Sequence, residues 1–81
     1  MQKSTFSDEY AVFLRLLREA RTASGVTQEE LAERIGNTQS FVSKCERGER
    51  RLDIVEVRAF CQAIGIPFAK FVRDFENAVG R

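Results

Sequence analysis

Two short segments of this 81-residue chain have the pattern of a capping box, and they constrain the fold more than any other feature. In the segment 27–30, the Thr27 hydroxyl is placed to accept a hydrogen bond from the N–H of Glu30, whose carboxylate reaches back to the N–H of Thr27. Asp53 and Glu56 repeat this spacing. Apolar residues flank both boxes in the positions of a hydrophobic staple. The sequence therefore predicts a helix start at each point.

Apolar residues recur at helical spacing through the chain, as in the i, i+3, i+4, i+7 series from Val57 to Ile64. Five helices are predicted: from about Asp8 to Ser24, from Thr27 to Gly36, from Gln39 to Arg47, from Asp53 to Gly65 and over about 67–79. Ser7 or Asp8 is expected to cap the first helix, and Pro67 is expected at the first helical position of the last. No strand pattern, repeat or low-complexity linker interrupts them. We expect an all-α fold in one domain over residues 1–81.

Composition excludes several classes of protein. With 43% hydrophobic and 31% charged residues the chain is too apolar for disorder, and no apolar run is long enough to span a membrane. The first residues lack the pattern of a secretory signal, which predicts a cytoplasmic location. There is no histidine, so we expect no enzyme activity, no metal site and no cofactor. Cys45 and Cys61 lie on apolar stripes and are expected in the core.

The segment 28–47 has the pattern of two short helices joined by a tight turn, and it resembles the Cro and phage-repressor (XRE) type of helix-turn-helix. The matching positions are Thr27-Gln28, Leu31-Ala32, Gly36, Gln39-Ser40, Val42 and Glu46-Arg47-Gly48. The resemblance extends over about Phe13–Phe75 and implies a five-helix repressor-like domain. Gly65-Ile66-Pro67 before a Phe-rich helix resembles, more narrowly, restriction-modification controller proteins. Cys45 departs from the family pattern, which more often has Ile or Leu there.

In this family the second motif helix enters the major groove of double-stranded DNA. The resemblance therefore implies base contacts by Gln39, Ser40, Ser43 and Lys44, whose donors and acceptors suit base edges. It implies phosphate contacts by Gln28, Arg47, Arg50 and Arg51. The role of Phe41 stays open between a thymine contact and packing beside the motif.

The net charge of +1 by itself argues against a nucleic-acid partner. Four basic residues nevertheless cluster between Lys44 and Arg51. The family resemblance also implies that Glu46 turns inward and pairs with Arg21, which removes one carboxylate from this region. We therefore expect a basic face on a nearly neutral protein.

Phe68, Phe71 and Phe75 on the last predicted helix either complete the core or form a dimer interface. Because the family commonly binds as a two-fold dimer, we favour a homodimer. The predicted function is that of a sequence-specific DNA-binding transcriptional regulator with no small-molecule ligand. The alternative is a protein-binding adaptor or antitoxin-like partner with the same fold, and the lack of acidic residues over 37–45 favours DNA.

Overall fold

The computed structural model describes residues 6–80, which form α1 (Phe6–Ala23), α2 (Gln28–Ile35), α3 (Gln39–Glu46), α4 (Ile54–Ile64) and α5 (Phe68–Val79). Within these residues there is no strand, so the all-α prediction is confirmed. No helix in this range is both long and apolar enough to cross a lipid bilayer.

Both predicted capping boxes are present. At the start of α2 the N–H of Glu30 donates to the Thr27 hydroxyl at 3.0 Å, and the N–H of Thr27 donates to the Glu30 carboxylate at 2.9 Å. At the start of α4 the reciprocal bonds between Asp53 and Glu56 both measure 2.8 Å. These bonds satisfy backbone N–H groups that have no partner inside the helix.

The turn between α2 and α3 depends on Gly36, whose φ of +71° is in the left-handed region. The N–H of Gly36 donates to the carbonyls of Ala32 and Glu33, which closes the end of α2. The Thr38 hydroxyl then accepts from the N–H of Phe41 at 3.1 Å and starts α3. Two eight-residue helices are thereby joined through a turn of only three residues.

Predicted boundaries of α1, α3 and α5 were wrong by one or two residues. Helix α1 already includes Ser7 and Asp8, so neither residue is its cap, and Asp8 instead places a negative charge in the first turn. Helix α3 ends at Glu46, and Arg47 is its C-cap. Pro67 is the N-cap of α5 rather than its first helical residue, because its ψ of 132° is extended.

All five helices contribute to one core, and α2 packs against α3 and α4 while α1 packs against α5. Its buried hydrophobic residues are Leu17, Val26, Leu31, Ala32, Val42, Cys45, Val57, Phe60, Cys61, Ile64 and Phe71. The four apolar residues predicted for α4 are all among them. Helices as short as α2 and α3 are not stable alone, so their packing in this core keeps them folded and fixes their relative orientation.

Candidate nucleic-acid interface

Helix α3 has one buried and one exposed face. Val42 and Cys45 are fully buried against the core. Gln39, Ser40 and Lys44 are exposed, and Ser43 is half-buried. The four residues predicted to contact bases therefore lie on the surface of α3, in the spacing of one helical face and its edge.

A buried ion pair between Arg21 and Glu46 holds the end of α3 against α1. Nε and Nη2 of Arg21 donate to the two carboxylate oxygens of Glu46 at 2.6 and 3.0 Å, and the two side chains are only 9% and 4% exposed. Nη1 of Arg21 also donates to the carbonyl of Val26 at 2.8 Å. The pair joins the end of α1 to the end of α3, and the Val26 bond adds the residues that lead into α2. Its bidentate geometry restricts the orientation of both side chains.

Gln28 extends the ion pair to the surface. Its Nε2 donates to Oε1 of Glu46 at 2.9 Å, and its Oε1 accepts from Nε2 of Gln39 at 2.7 Å. The Gln28 side chain, for which the resemblance implies a phosphate contact, is thus hydrogen-bonded within the protein. The backbone N–H at the start of α2 is the group that remains to bind an anion. The hydrogen bond between Gln28 and Gln39 was not among the predictions from the sequence. The signal that could have indicated it is that each glutamine is the first residue of a motif helix.

Arg47 lies between two partners at the end of α3. Its Nε and Nη2 donate to the Glu49 carboxylate at 2.8 and 3.3 Å, and its Nη1 donates to the Ser43 hydroxyl. Hydrogen bonds from Arg47 lower the pKa of Glu49, and the same carboxylate raises the pKa of Arg47. Arg47 is therefore connected to Ser43, one of the four α3 residues predicted to contact bases. We call these residues, Gln39, Ser40, Ser43 and Lys44, the reading face, and α3 the reading helix.

The side chains of Arg50 and Arg51 are in contact with other parts of the chain rather than extended into solvent. Nη1 of Arg50 donates to the Glu56 carboxylate at 2.7 Å, and the guanidinium lies 5.0 Å from the ring centre of Phe41. The Arg51 guanidinium lies 4.1 Å from the ring centre of Tyr10. In the described part of the chain, Arg51 has no carboxylate within ion-pair distance.

Phe41 packs beside the motif against residues of α4 and of the loop after α3. Its ring is half-buried and meets the ring of Phe60 edge-on, with the centroids 6.5 Å apart. The guanidinium of Arg50 covers another side of the ring. These contacts agree with the packing role, and the thymine contact stays a prediction.

Both cysteines are buried thiols, as predicted. Burial raises the pKa of Cys45, and it raises the pKa of Cys61 to about 11. The described residues contain no group of side chains suited to hold a metal ion.

The three phenylalanines of α5 differ in exposure. Phe71 is only 4% exposed and packs edge-on against Phe13 at 5.9 Å, so it has little surface left for a partner. Phe68 and Phe75 are half-buried. They line an apolar groove of about 350 Å³ between α1, the start of α4 and α5.

Two exposed apolar residues, Val72 and Ile54, also line this groove, and Val55 follows Ile54 in the chain. Val72 on α5 is 45% exposed, while Ile54 and Val55 at the start of α4 are 70% and 74% exposed. Such a concentration of apolar surface is typical of a contact with another molecule.

These features define a helix-turn-helix protein in which α3 is the exposed helix of the motif. A family model described as a helix-turn-helix domain matches residues 9–70. An XRE-family like protein from Pseudomonas syringae pv. tomato is 47% identical and superimposes with a TM-score of 0.85, over 89% of this chain and 88% of that one. The chain belongs to the XRE-type helix-turn-helix family of transcriptional regulators.

Two more relatives agree with this assignment. An uncharacterized HTH-type transcriptional regulator of Sinorhizobium fredii is 37% identical over 60 residues, which are 74% of this chain and 73% of the relative. The clp gene regulator ClgR from C. glutamicum, known from its crystal structure, has 26% sequence identity to this chain. The two superimpose with a TM-score of 0.75 over 86% of this chain and 91% of that one. None of these descriptions mentions a controller, so the narrower resemblance to restriction-modification controllers stays a prediction.

Proposed function

We propose that this protein is a sequence-specific transcriptional regulator that inserts α3 into the major groove of an operator as a homodimer. The observation that carries the proposal is the chain of contacts from the buried Arg21–Glu46 pair through Gln28 to Gln39. A protein that reads bases needs side chains held in place before binding, because every side chain ordered on binding lowers the affinity. Such a regulator acts in the cytoplasm.

The base contacts follow from the exposed face of α3. Gln39 is held at the start of the helix and has the amide geometry that contacts adenine, while Lys44 carries a donor suited to guanine. Ser40 and Ser43 donate to or accept from either kind of base. No carboxylate lies on residues 37–45 to repel the duplex.

The phosphate contacts come from the two ends of the motif. The backbone N–H of Gln28 lies at the start of α2, where the helix dipole favours an anion. Arg47, Arg50 and Arg51 provide the positive charge that positions the protein on the duplex. Because Arg47 and Arg50 have carboxylate partners in the free protein, each exchanges that partner for a phosphate on binding.

The dimer forms through the groove between α1, α4 and α5. Phe68, Phe75, Val72 and Ile54 line the groove, and the last two of these are exposed. Phe71 also lines the groove, but it is buried and leaves little surface for the partner. A two-fold dimer of this kind presents two reading helices to successive major grooves, roughly 34 Å apart on a palindromic operator.

Selection of bound DNA from a random duplex library, combined with the protein's mass in solution, tests this function. We expect one palindromic sequence to be enriched and the mass of a dimer to be found. Equal affinity for all duplexes would contradict sequence-specific regulation. A stoichiometric protein partner that purifies with the chain, in the absence of DNA binding, would support the adaptor function instead.

A further inference from the structure

We propose that Glu49 sets the strength of sequence-independent DNA binding, because its carboxylate competes with DNA phosphates for Arg47. The inference rests on the proposed function and adds to it the role of an acidic residue. The family resemblance assigned no role to Glu49.

The contact between the two side chains has the geometry that Arg uses for phosphate. Nε and Nη2 of Arg47 donate to the two oxygens of the Glu49 carboxylate at 2.8 and 3.3 Å. A phosphate approaching the same fork of donors meets the same two N–H groups. Both side chains are 55% exposed, so the duplex has access to the pair.

The backbone holds Glu49 in this place. Gly48 has a φ of +80°, which reverses the chain immediately after α3. The N–H of Glu49 then donates to the carbonyl of Lys44 at 2.9 Å. Glu49 therefore lies directly after the end of the reading helix, and no long flexible loop separates its carboxylate from Arg47.

Glu49 is ionised at neutral pH and its charge acts on two predicted DNA contacts. Its pKa is lowered first by the hydrogen bonds and the charge of Arg47, with a smaller effect from Lys44. The carboxylate thus offsets positive charge at the end of α3, where the resemblance places a phosphate contact.

The size of the effect follows from counterion release. Neutralising one phosphate with a free cation steepens the dependence of log K on log salt by about 0.9 and strengthens binding about fivefold near 0.15 M salt. When Arg47 exchanges Glu49 for a phosphate, the freed carboxylate stays beside the duplex and takes up a cation, which offsets the counterion released from the DNA. We therefore expect Glu49 to lower the affinity for every duplex by about fivefold per protomer.

Glu49→Gln tests this role, together with Arg47→Gln and the double variant. Glu49→Gln should bind operator and random duplexes about fivefold more tightly, with a salt slope steeper by about 0.9 per protomer. It should melt like the parent, because exposed ion pairs contribute little to stability. In the Arg47→Gln background the same substitution should have a much smaller effect, because the competing guanidinium is absent and only the weaker interaction of Glu49 with Lys44 remains.

Glu19→Gln is the matched control, because Glu19 pairs with Arg15 in an equally exposed ion pair on α1, outside the motif. It removes the same charge and frees an arginine, yet it should leave DNA affinity unchanged. An equal gain from both substitutions would overturn the proposal in favour of a general charge effect. A gain from Glu49→Gln that is undiminished in the absence of Arg47 would also overturn it.

Retention on immobilised heparin separates this proposal from the function on which it rests. Glu49→Gln should elute at higher salt than the parent, and Glu19→Gln should elute with the parent. A shift on heparin without DNA binding by any variant would support the Glu49–Arg47 competition and contradict the regulator. Unchanged elution and unchanged DNA affinity would contradict the competition alone.

Discussion

Gln28 and Gln39, the first residues of α2 and α3, are joined by a hydrogen bond of 2.7 Å in which Nε2 of Gln39 donates to Oε1 of Gln28. Gln28 also donates to Glu46, whose partner is Arg21. A surface side chain of the proposed reading face is therefore connected through two contacts to a buried charge. This connection restricts Gln39 before any DNA is bound.

Gln28→Ala should reduce base discrimination without loss of fold. Removal of the side chain frees Gln39, so discrimination at its base should fall by up to roughly 1–3 kcal/mol, the value of a good bidentate contact. Competition titrations with operator duplexes carrying single base changes measure this loss. Gln62→Ala on the exposed surface of α4 is the control and should leave discrimination unchanged. Discrimination equal to that of the parent would show that the hydrogen bond has no part in recognition.

Arg21→Ala or Glu46→Ala should lower the free energy of unfolding by roughly 3–5 kcal/mol, because either change leaves the other charge buried and unpaired. Urea titration followed by circular dichroism measures the change. Arg15→Ala, which removes one partner of an exposed pair, should cost no more than about 1 kcal/mol. If all three variants unfolded at the same urea concentration, burial of the pair would have no energetic consequence.

Gly48→Ala should destabilise the protein more than Gly25→Ala. Both glycines have positive φ, +80° and +73°, so alanine costs about 1–2 kcal/mol of backbone strain at either position. At Gly48 the added Cβ would also lie 3.2 Å from Cδ1 of Leu14, whereas at Gly25 it would meet no atom within 4 Å. Thermal unfolding of the two variants measures the difference. A smaller effect at Gly48 would mean that Leu14 moves aside without cost.

Val72→Glu should convert the proposed dimer to a monomer while the protomer stays folded, because Val72 is 45% exposed and lines the groove. Phe71→Ala should instead lower the free energy of unfolding by about 3–5 kcal/mol, as expected for a buried aromatic residue. Sedimentation and urea titration separate the two effects. Ala69→Glu adds the same charge to an exposed position of α5 that does not line the groove, and it should leave the dimer intact. Loss of the dimer in both glutamate variants would point to a different interface.

Stability should fall at acidic pH partly through the capping box of α2. Hydrogen bonds from the backbone and then the side chain of Thr27 lower the pKa of Glu30 below its ordinary value of 4.5. A lowered folded-state pKa stabilises the protein above about pH 4.5, and this contribution is lost as the pH falls through the lowered value. Urea midpoints measured from pH 7 to pH 3 should therefore decline less steeply in Glu30→Gln than in the parent. Identical slopes would remove Glu30 from the acid response.

Much of the fold was predictable because its determinants are local. The capping boxes at Thr27 and Asp53 depend on atoms three residues apart, and the turn at Gly36 depends on one residue's freedom to adopt positive φ. The buried stripe of α4 follows from helical spacing alone. The errors at Ser7, Asp8 and Pro67 are errors of helix ends, where several neighbouring residues have similar capping ability.

The candidate site was predictable only in part. The exposed face of α3 follows from the position of Val42 and Cys45 on the opposite side. The bonds that hold Arg47 and Arg50 were not foreseen, because a carboxylate two or six residues away becomes a partner only through the course of the loop. The exposure of Phe68 and Phe75, against the burial of Phe71, required the position of α1.

The sequence by itself determined where four of the five helices begin and end, to within one residue, and which residues of α4 are buried, because capping, periodicity and glycine conformation act over a few neighbouring residues. The helix-turn-helix at 28–47 was implied by the family resemblance. Only the tertiary structure decided which charges are engaged. The family resemblance implied the pair of Arg21 and Glu46, but the sequence did not indicate that Arg47 and Arg50 each pair with a carboxylate close to α3. Electrostatic interactions depend on distance in space rather than along the chain, so the charge of this face became known only with the packing of the helices.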